Sequence, residues 1–390
     1  MSETNPATSA PTDTVPSSQQ HAKQTTKQTI DTRLWGKRVR NLTPYVPGEQ
    51  PKHENLCKLN TNENPFPPSP KVADAIAAVL ANQADLLKRY PAPESDDLRA
   101  AMAQVYGVNP EQVFVGNGSD EVLAHIFACF FVKDRPLLTP DIGYSFYPVY
   151  ADTFGVELIN IALQQDFTID VNDFRRPCGG IIIANPNAPT GVLLALDDIE
   201  KLLTEHPNAV IVIDEAYIDF ADTPNASAVS LINKYDNLIV SQTFSKSRSL
   251  AGLRVGMAFA NPSLIEALNR YKNSFNSYPL DRLAQAGAVA SLLDAAYFED
   301  CRQQLITLRH NLTQDLQDLG FSVLPSQANF VFAKPPATLG SAAAVFEQLR
   351  AEGVIVRHFK SARIAEFLRI TVGDQAQNQR LIDSLRALSA

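Results

Sequence analysis

The amino-acid sequence predicts an α/β protein with a large domain built on a mostly parallel sheet and a smaller α+β domain C-terminal to it. Three short, nearly continuous apolar runs carry this prediction: 181–184, 210–213 and 238–241, rich in Ile and Val as strands buried on both faces are. They recur at intervals of about thirty residues, the length of a strand–helix–strand unit. Between the first two, 197–205 has helical spacing, with Leu196, Ile199, Leu202 and Leu203 on its apolar side. Right-handed crossovers and a ligand crevice beyond the carboxyl ends of the strands follow from that rhythm.

The other elements fall into place around these strands. Residues 1–29 hold Ser, Thr, Gln and Pro without the apolar centre of a signal peptide, and read as a disordered tail. Residues 30–65 read as an extended arm that ends near Asn62 and Asn64. Helices are expected at 71–84, with Val72, Ile76, Val79 and Leu80 on one face, and at 95–106, closed by Gly107. A strand at 113–115 leads through Gly116-Asn117-Gly118-Ser119 into an apolar helix over 120–131. The large domain is placed at 66–275. From 276 to 390 the pattern changes to long helices, 283–295 and 297–319, then strands near 329–333, 354–356 and 367–372, which suits a second α+β domain.

Composition bounds the function. The 390 residues, 45% hydrophobic and 19% charged, suffice for two domains and a large core without disulfides or metals. The four cysteines, Cys57, Cys129, Cys178 and Cys301, form no CxxC pair, which suits a reducing, cytoplasmic setting rather than a zinc site or a disulfide framework. A net charge of −8 with no basic stripe argues against nucleic acid as a partner. No apolar run is long enough to span a bilayer. The six histidines show no ligand spacing.

Chemistry concentrates where the buried strands end. The run 181–184 enters Asn185-Pro-Asn-Ala-Pro-Thr-Gly191, 210–213 enters Asp214-Glu-Ala-Tyr217, and 238–241 enters Thr243-Phe-Ser-Lys246. Asp214 would sit at the rim of a low-dielectric sheet, where an anion needs a cation, and a protonated pyridine nitrogen would supply one. Lys246, beside a fixed cation such as Arg254, suits a nucleophile toward an aldehyde. Ser245 and Thr243 add hydroxyls, and the Arg254 guanidinium can grip phosphate oxygens as a fork. The helix start at Ser119 and Asp120 offers a second anion device.

Taken singly, these features have ordinary explanations. A Gly-x-Gly-Ser is usually a turn with a cap, an Asp after a strand a loop acid, and a lysine a solvated surface residue. The ordered set, one member at each strand end, is what points to a site for a phosphorylated carbonyl compound.

The motifs NPNAPTG, DEAY and TFSKS followed by AGLRVG resemble the fold type I aminotransferases. LNTNENPFPPSP, RYP, GNGSDE, YSFYPVY, VIVRHF and LRITVG resemble the histidinol-phosphate aminotransferase family within them. The resemblance runs from about residue 34 to the C-terminus and implies pyridoxal 5'-phosphate as cofactor, carried on Lys246. It implies that Asp214 pairs the pyridine nitrogen and Tyr217 the ring hydroxyl. Ser119, Asp120, Thr243, Ser245 and Arg254 correspond to phosphate-holding positions, and Tyr144 to the aromatic against the ring. Tyr90 corresponds to a tyrosine that reaches the partner subunit's cofactor phosphate, which implies a homodimer. Arg357 and Arg369, with Asn62, fall on the substrate side, where histidinol phosphate and glutamate or 2-oxoglutarate would bind. Many relatives carry Asn directly before Pro-Thr-Gly. Here that position is Ala188, so the second ring-hydroxyl contact is assigned to Asn187.

Three alternatives stay open on the same scaffold: an aromatic amino acid aminotransferase, a phosphothreonine-type decarboxylase, and a catalytically inactive binding protein. Intact Lys246, Asp214, Tyr217 and Arg254 argue against the last.

Overall fold

The computed structural model describes residues 31–45, 48–49, 55–132 and 134–388. The tail expected at 1–29, and part of the arm, therefore lie outside the described residues. Residues 1–41 form a unit of their own, and the architecture below is that of 42–390.

Cys57–Lys58 (β1) pairs in parallel with a short strand near the C-terminal end. The large sheet contains Val113–Asn117 (β2), Leu137–Pro140 (β3), Leu158–Ile161 (β4), Gly180–Ala184 (β5), Val210–Asp214 (β6), Leu238–Thr243 (β7) and Val255–Ala260 (β8). Its order is β2-β8-β7-β6-β5-β3-β4. Pairings from β4 through β7 are parallel, while β8 runs antiparallel to both its neighbours, β7 and β2. The three strands read from the Ile/Val runs are thus its centre.

Alternation along those strands explains the two-sided burial. Ile181, Ile183, Ile211 and Ile213 point into one apolar cluster, Ile182, Val210, Val212 and Ile239 into another on the opposite face. Leu196–Glu205 covers the first face through Ile199, Leu202 and Leu203, as its spacing predicts.

β8 was not foreseen. Its sequence, VGMAFA, contains Gly, Met and Ala and little of the β-branched bias that marks a strand. Its direction matters for the site. An antiparallel strand begins at the edge where parallel strands end, so the link from β7 to β8, residues 244–254, stays at the carboxyl edge of the sheet. There Thr243 pairs with Gly256, and Asn117 with Val255.

The helix expected over 120–131 starts earlier and divides: Gly118–Ile126 is α-helical, and Phe127–Phe131 is a π-helical turn. Asp96–Tyr106 ends as expected at Gly107, whose φ of 68° suits glycine.

A second sheet has Ser322–Val323 (β9), Phe330–Lys334 (β10), Arg357–His358 (β12) and Leu368–Thr371 (β13), in the order β12-β13-β10-β9, all antiparallel. Val354–Ile355 (β11) is the partner of β1. Val331, Ile370, Leu305, Leu312, Leu381 and Leu385 share this sheet's core. Arg282–Leu293, which the sequence reading places beyond 276 with the small domain, instead buries Ala284, Ala288 and Leu292 in the large-sheet core. Ala295–Asp318 is the first helix to send its apolar side, Leu305, Leu312 and Leu316, into the second core.

Candidate active site

A cleft of about 250 Å³ lies at the carboxyl edge of the large sheet. Twelve of the residues singled out from sequence line it: Asn62, Ser119, Asp120, Tyr144, Asp214, Tyr217, Thr243, Ser245, Lys246, Arg254, Arg357 and Arg369. Topology explains the convergence. Asp214 ends β6, Thr243 ends β7, and Ser119 opens the helix after β2. Arg357 and Arg369 are register partners on β12 and β13 of the second sheet.

Asp214 is buried at the end of β6, and burial pushes its carboxyl up to about 6. Tyr147 opposes that shift by donating its hydroxyl to Oδ2 at 2.9 Å, while Oδ1 has no partner. A buried carboxylate with one satisfied and one free oxygen is built to take one further donor. The neighbouring acid of the same motif has a different task. Glu215 accepts from Ala228 N–H at 2.6 Å, Ser227 Oγ at 2.6 Å and Gln242 Nε2 at 2.9 Å, so its donors are all internal.

Lys246 Nζ donates to the carbonyl of Thr61 at 3.0 Å and stands 5.8 Å from the centre of the Tyr217 ring. The Tyr217 hydroxyl accepts from Asn62 Nδ2 at 3.0 Å. Arg254, at φ 54°, pairs with Asp120 at 2.9 Å, and Thr243 Oγ1 donates to Ser245 Oγ at 3.0 Å. Gly256 is required beneath this group, because a Cβ there would overlap the backbone of Gly118 and Ser119. Guanidinium, two hydroxyls and a helix start make an anion cradle.

Arg369 supplies a second cationic surface. It is half-buried, donates from Nη2 to the carbonyl of Asn60 at 2.7 Å, and leaves a buried Nε unpartnered. Burial holds its guanidinium below the usual arginine range, and Arg357 adds to the effect. Its charge lies 5.5 Å from the Phe330 ring centre and 5.7 Å from that of Phe359, faces that stabilise a desolvated cation.

Two of the singled-out residues do not line the cleft. Tyr90 is 76% exposed and stacks on Tyr278 with ring centres 4.5 Å apart. Asn187 is buried, with Nδ2 committed to Ile142 O and Thr190 Oγ1 and Oδ1 unpartnered; Ala188 and Pro189 form the wall instead.

Sequence reasoning missed Tyr147, Glu215 and the main-chain carbonyls of Asn60 and Thr61. The first had a signal, a tyrosine three positions after Tyr144 at the start of a helix. Backbone acceptors have none.

The model of the family "Aminotransferase class I and II" matches residues 54–385. The chain belongs to the class I and II aminotransferases. It is 66% identical over 367 residues to histidinol-phosphate aminotransferase 2 of Psychrobacter arcticus, covering 93% of this chain and 97% of that one. It is 57% identical over 361 residues to a histidinol-phosphate aminotransferase of Acinetobacter baumannii, covering 93% and 99%. Among solved structures, the histidinol-phosphate aminotransferase of Sinorhizobium meliloti, in complex with pyridoxal-5'-phosphate, shares the fold. Its TM-score is 0.77 at 24% identity, over 85% of this chain and 91% of that one. The aminotransferase therefore has the α/β fold type I architecture that its motifs imply.

Proposed function

We propose that this aminotransferase exchanges an amino group between histidinol phosphate or imidazole acetol phosphate and 2-oxoglutarate or glutamate, with pyridoxal 5'-phosphate as cofactor. The observation that carries the reading is one cleft holding a lysine, a half-satisfied buried carboxylate and two separate cationic surfaces, the Arg254 cradle and the Arg357/Arg369 pair. The names of the relatives at 66% and 57% identity support it.

The residues fit the cofactor. Asp214 Oδ1, buried and unpartnered, suits a protonated pyridine nitrogen, and Ser119, Thr243, Ser245 and Arg254 suit a phosphate. Lys246 would hold the aldehyde carbon, Tyr217 the ring hydroxyl and Tyr144 the ring face; Asn187, behind the wall made by Ala188 and Pro189, is not placed for the ring-hydroxyl contact its motif implies. Bound there, pyridoxal 5'-phosphate supplies an electron sink for the pair left when the substrate's α C–H bond breaks. Asp214 keeps a proton on the ring nitrogen by offsetting its charge. Lys246 Nζ moves a proton at the substrate α-carbon as general base and then general acid. Arg369 and Arg357 bind the phosphate of one substrate and a carboxylate of the other, in turn.

The working unit in this reading is a homodimer in which Tyr90 serves the partner's site, and the setting is the cytoplasm. Among the described residues no helix is long and apolar enough to cross a membrane.

The deciding experiment compares donors. Histidinol phosphate is expected to exceed dephosphorylated histidinol in kcat/KM by about 10²-fold, the worth of one or two charge-assisted hydrogen bonds. Equal values, or phenylalanine ahead of both, would rule out the histidine pathway and leave the aminotransferase reading in place.

A further inference from the structure

The segment 59–64 lines the cleft through 60–63, bending at 60–61 with Asn62 in left-handed backbone (φ 54°), and its residues bond in turn to groups from both sheets. Leu59 is fixed between β11 and β13, its N–H donating to Ile355 O at 2.7 Å and its carbonyl accepting from Thr371 N–H at 2.9 Å. Asn60 O takes Arg369, Thr61 O takes Lys246, and the Asn62 side chain reaches Tyr217. Two adjacent carbonyls of one strap thus hold two of the cations that line the cleft, Arg369 and Lys246. Asn64 then bonds back to the lysine turn, with Nδ2 donating to Lys246 O at 3.1 Å and to Ser247 O at 3.2 Å. Its own Oδ1 accepts from Phe66 N–H at 3.1 Å, which orients the amide so that both donors face the lysine turn.

We propose that Asn64 is a positioning residue for Lys246. It fixes the lysine's main chain against the strap, so that the amine is delivered at a set distance from Arg369. Asn64 itself does not line the cleft; its side chain meets the main chain of Lys246, which does, and of Ser247, which does not. Its two side-chain donations therefore act on the turn that carries Lys246. The turn keeps other restraints: Ser249 N–H donates to Lys246 O at 3.3 Å, Arg248 Nη1 to Ser291 O at 2.8 Å, and Ser247 Oγ to Asp219 Oδ2 at 2.5 Å. Removing the Asn64 donation frees the turn from the strap and leaves these internal bonds in place, so the fold of the turn is kept. A lysine displaced by a fraction of an ångström loses reactivity without the protein losing its fold.

The inference rests on the reading of Lys246 given under the proposed function, and its test separates the two. Cofactor-free protein is mixed with pyridoxal 5'-phosphate, reduced with borohydride at timed intervals, and the covalent adduct on Lys246 is followed by mass spectrometry. Two variants are compared with the wild type. Asn64→Asp keeps the acceptor for Phe66 and loses the donor; Asn64→Ala loses both. What they share is the lost donation to Lys246 O and Ser247 O. Capture is expected to slow by about tenfold in both, the worth of two neutral hydrogen bonds, with kcat falling alongside and the KM for the amino donor within about twofold of wild type.

Wild-type capture rates in both folded variants would overturn the proposal. So would slowing in one variant alone, since charge or turn geometry would then be the cause, or failure of both to fold, which would make Asn64 structural. Absence of capture by the wild type, or equal capture by Lys246→Ala, would instead overturn the reading of Lys246.

Discussion

The hydroxyl of Tyr147 donates to Oδ2 of Asp214 at 2.9 Å, and Oδ1 of the same carboxylate is left unpartnered. This pair sets a conflict between stability and chemistry. Burial raises the Asp214 carboxyl from an ordinary value near 3.8 to about 6. A raised folded-state value means that its contribution to stability is fully present below the unfolded value and lost as pH rises through about 6. Asp214→Asn should therefore stabilise the cofactor-free protein by on the order of 2–3 kcal/mol above pH 6, and hardly at all near pH 4. Urea unfolding at the two pH values measures it. A substitution that is neutral at both would show that the carboxylate carries no burial penalty. With the cofactor bound the order should invert, because the wild-type carboxylate alone offers a charge to the ring nitrogen.

Tyr147→Phe removes the donor but keeps the ring in its aromatic setting against Phe127 and Tyr144. Loss of that hydrogen bond raises the Asp214 carboxyl further, so the acid limb of the pH–rate profile should move to higher pH. The rate at neutral pH should fall about five- to tenfold, the worth of one hydrogen bond to a charged group at the low end. An unchanged acid limb would detach Tyr147 from the chemistry.

Lys246→Ala should fold and lose transamination by more than about 10³-fold, since among the described residues no other lysine lines the cleft. Half-reactions with glutamate, followed by absorbance, test this. Activity within tenfold of wild type would remove Lys246 from its assigned role.

Arg369→Lys should weaken catalysis with glutamate and with histidinol phosphate alike, by about 10- to 100-fold in kcat/KM. An ammonium cannot reproduce a planar fork that already spends one arm on Asn60 O. A loss confined to one substrate would show that the two anions use different arginines.

The Tyr90 ring is exposed and stacked on Tyr278, away from the cleft of its own chain. In the proposed homodimer, subunits carrying Lys246→Ala and subunits carrying Tyr90→Phe should complement, because one site per mixed dimer regains both native residues. Activity of the mixture no higher than the average of the parents would sink the shared-site arrangement.

Much of this was legible before any coordinates, for a physical reason. Strands buried on both faces must be apolar along their whole length, so β5, β6 and β7 stand out as unbroken Ile/Val runs. Polar residues directly after such runs have one place to go, the carboxyl edge of the sheet. Asp214, Thr243, Ser245 and Lys246 follow from composition and spacing, and family resemblance supplied roles for them. Arg254 was legible as a cation near Lys246, though not the reason it lies there.

Other features needed the tertiary structure. The direction of β8 depends on pairing between residues far apart in sequence, and VGMAFA has no local bias that announces it. The membership of Arg282–Leu293 in the first core depends on which sheet its small residues can approach, not on where the helical pattern begins. The split task of the neighbouring acids Asp214 and Glu215 is invisible in sequence, because consecutive residues on a strand end point to opposite sides and meet different donors. The strap is the clearest case. Its contacts with Lys246 and Arg369 use main-chain carbonyls, which every residue possesses, and only folding decides which of them a half-buried cation will find.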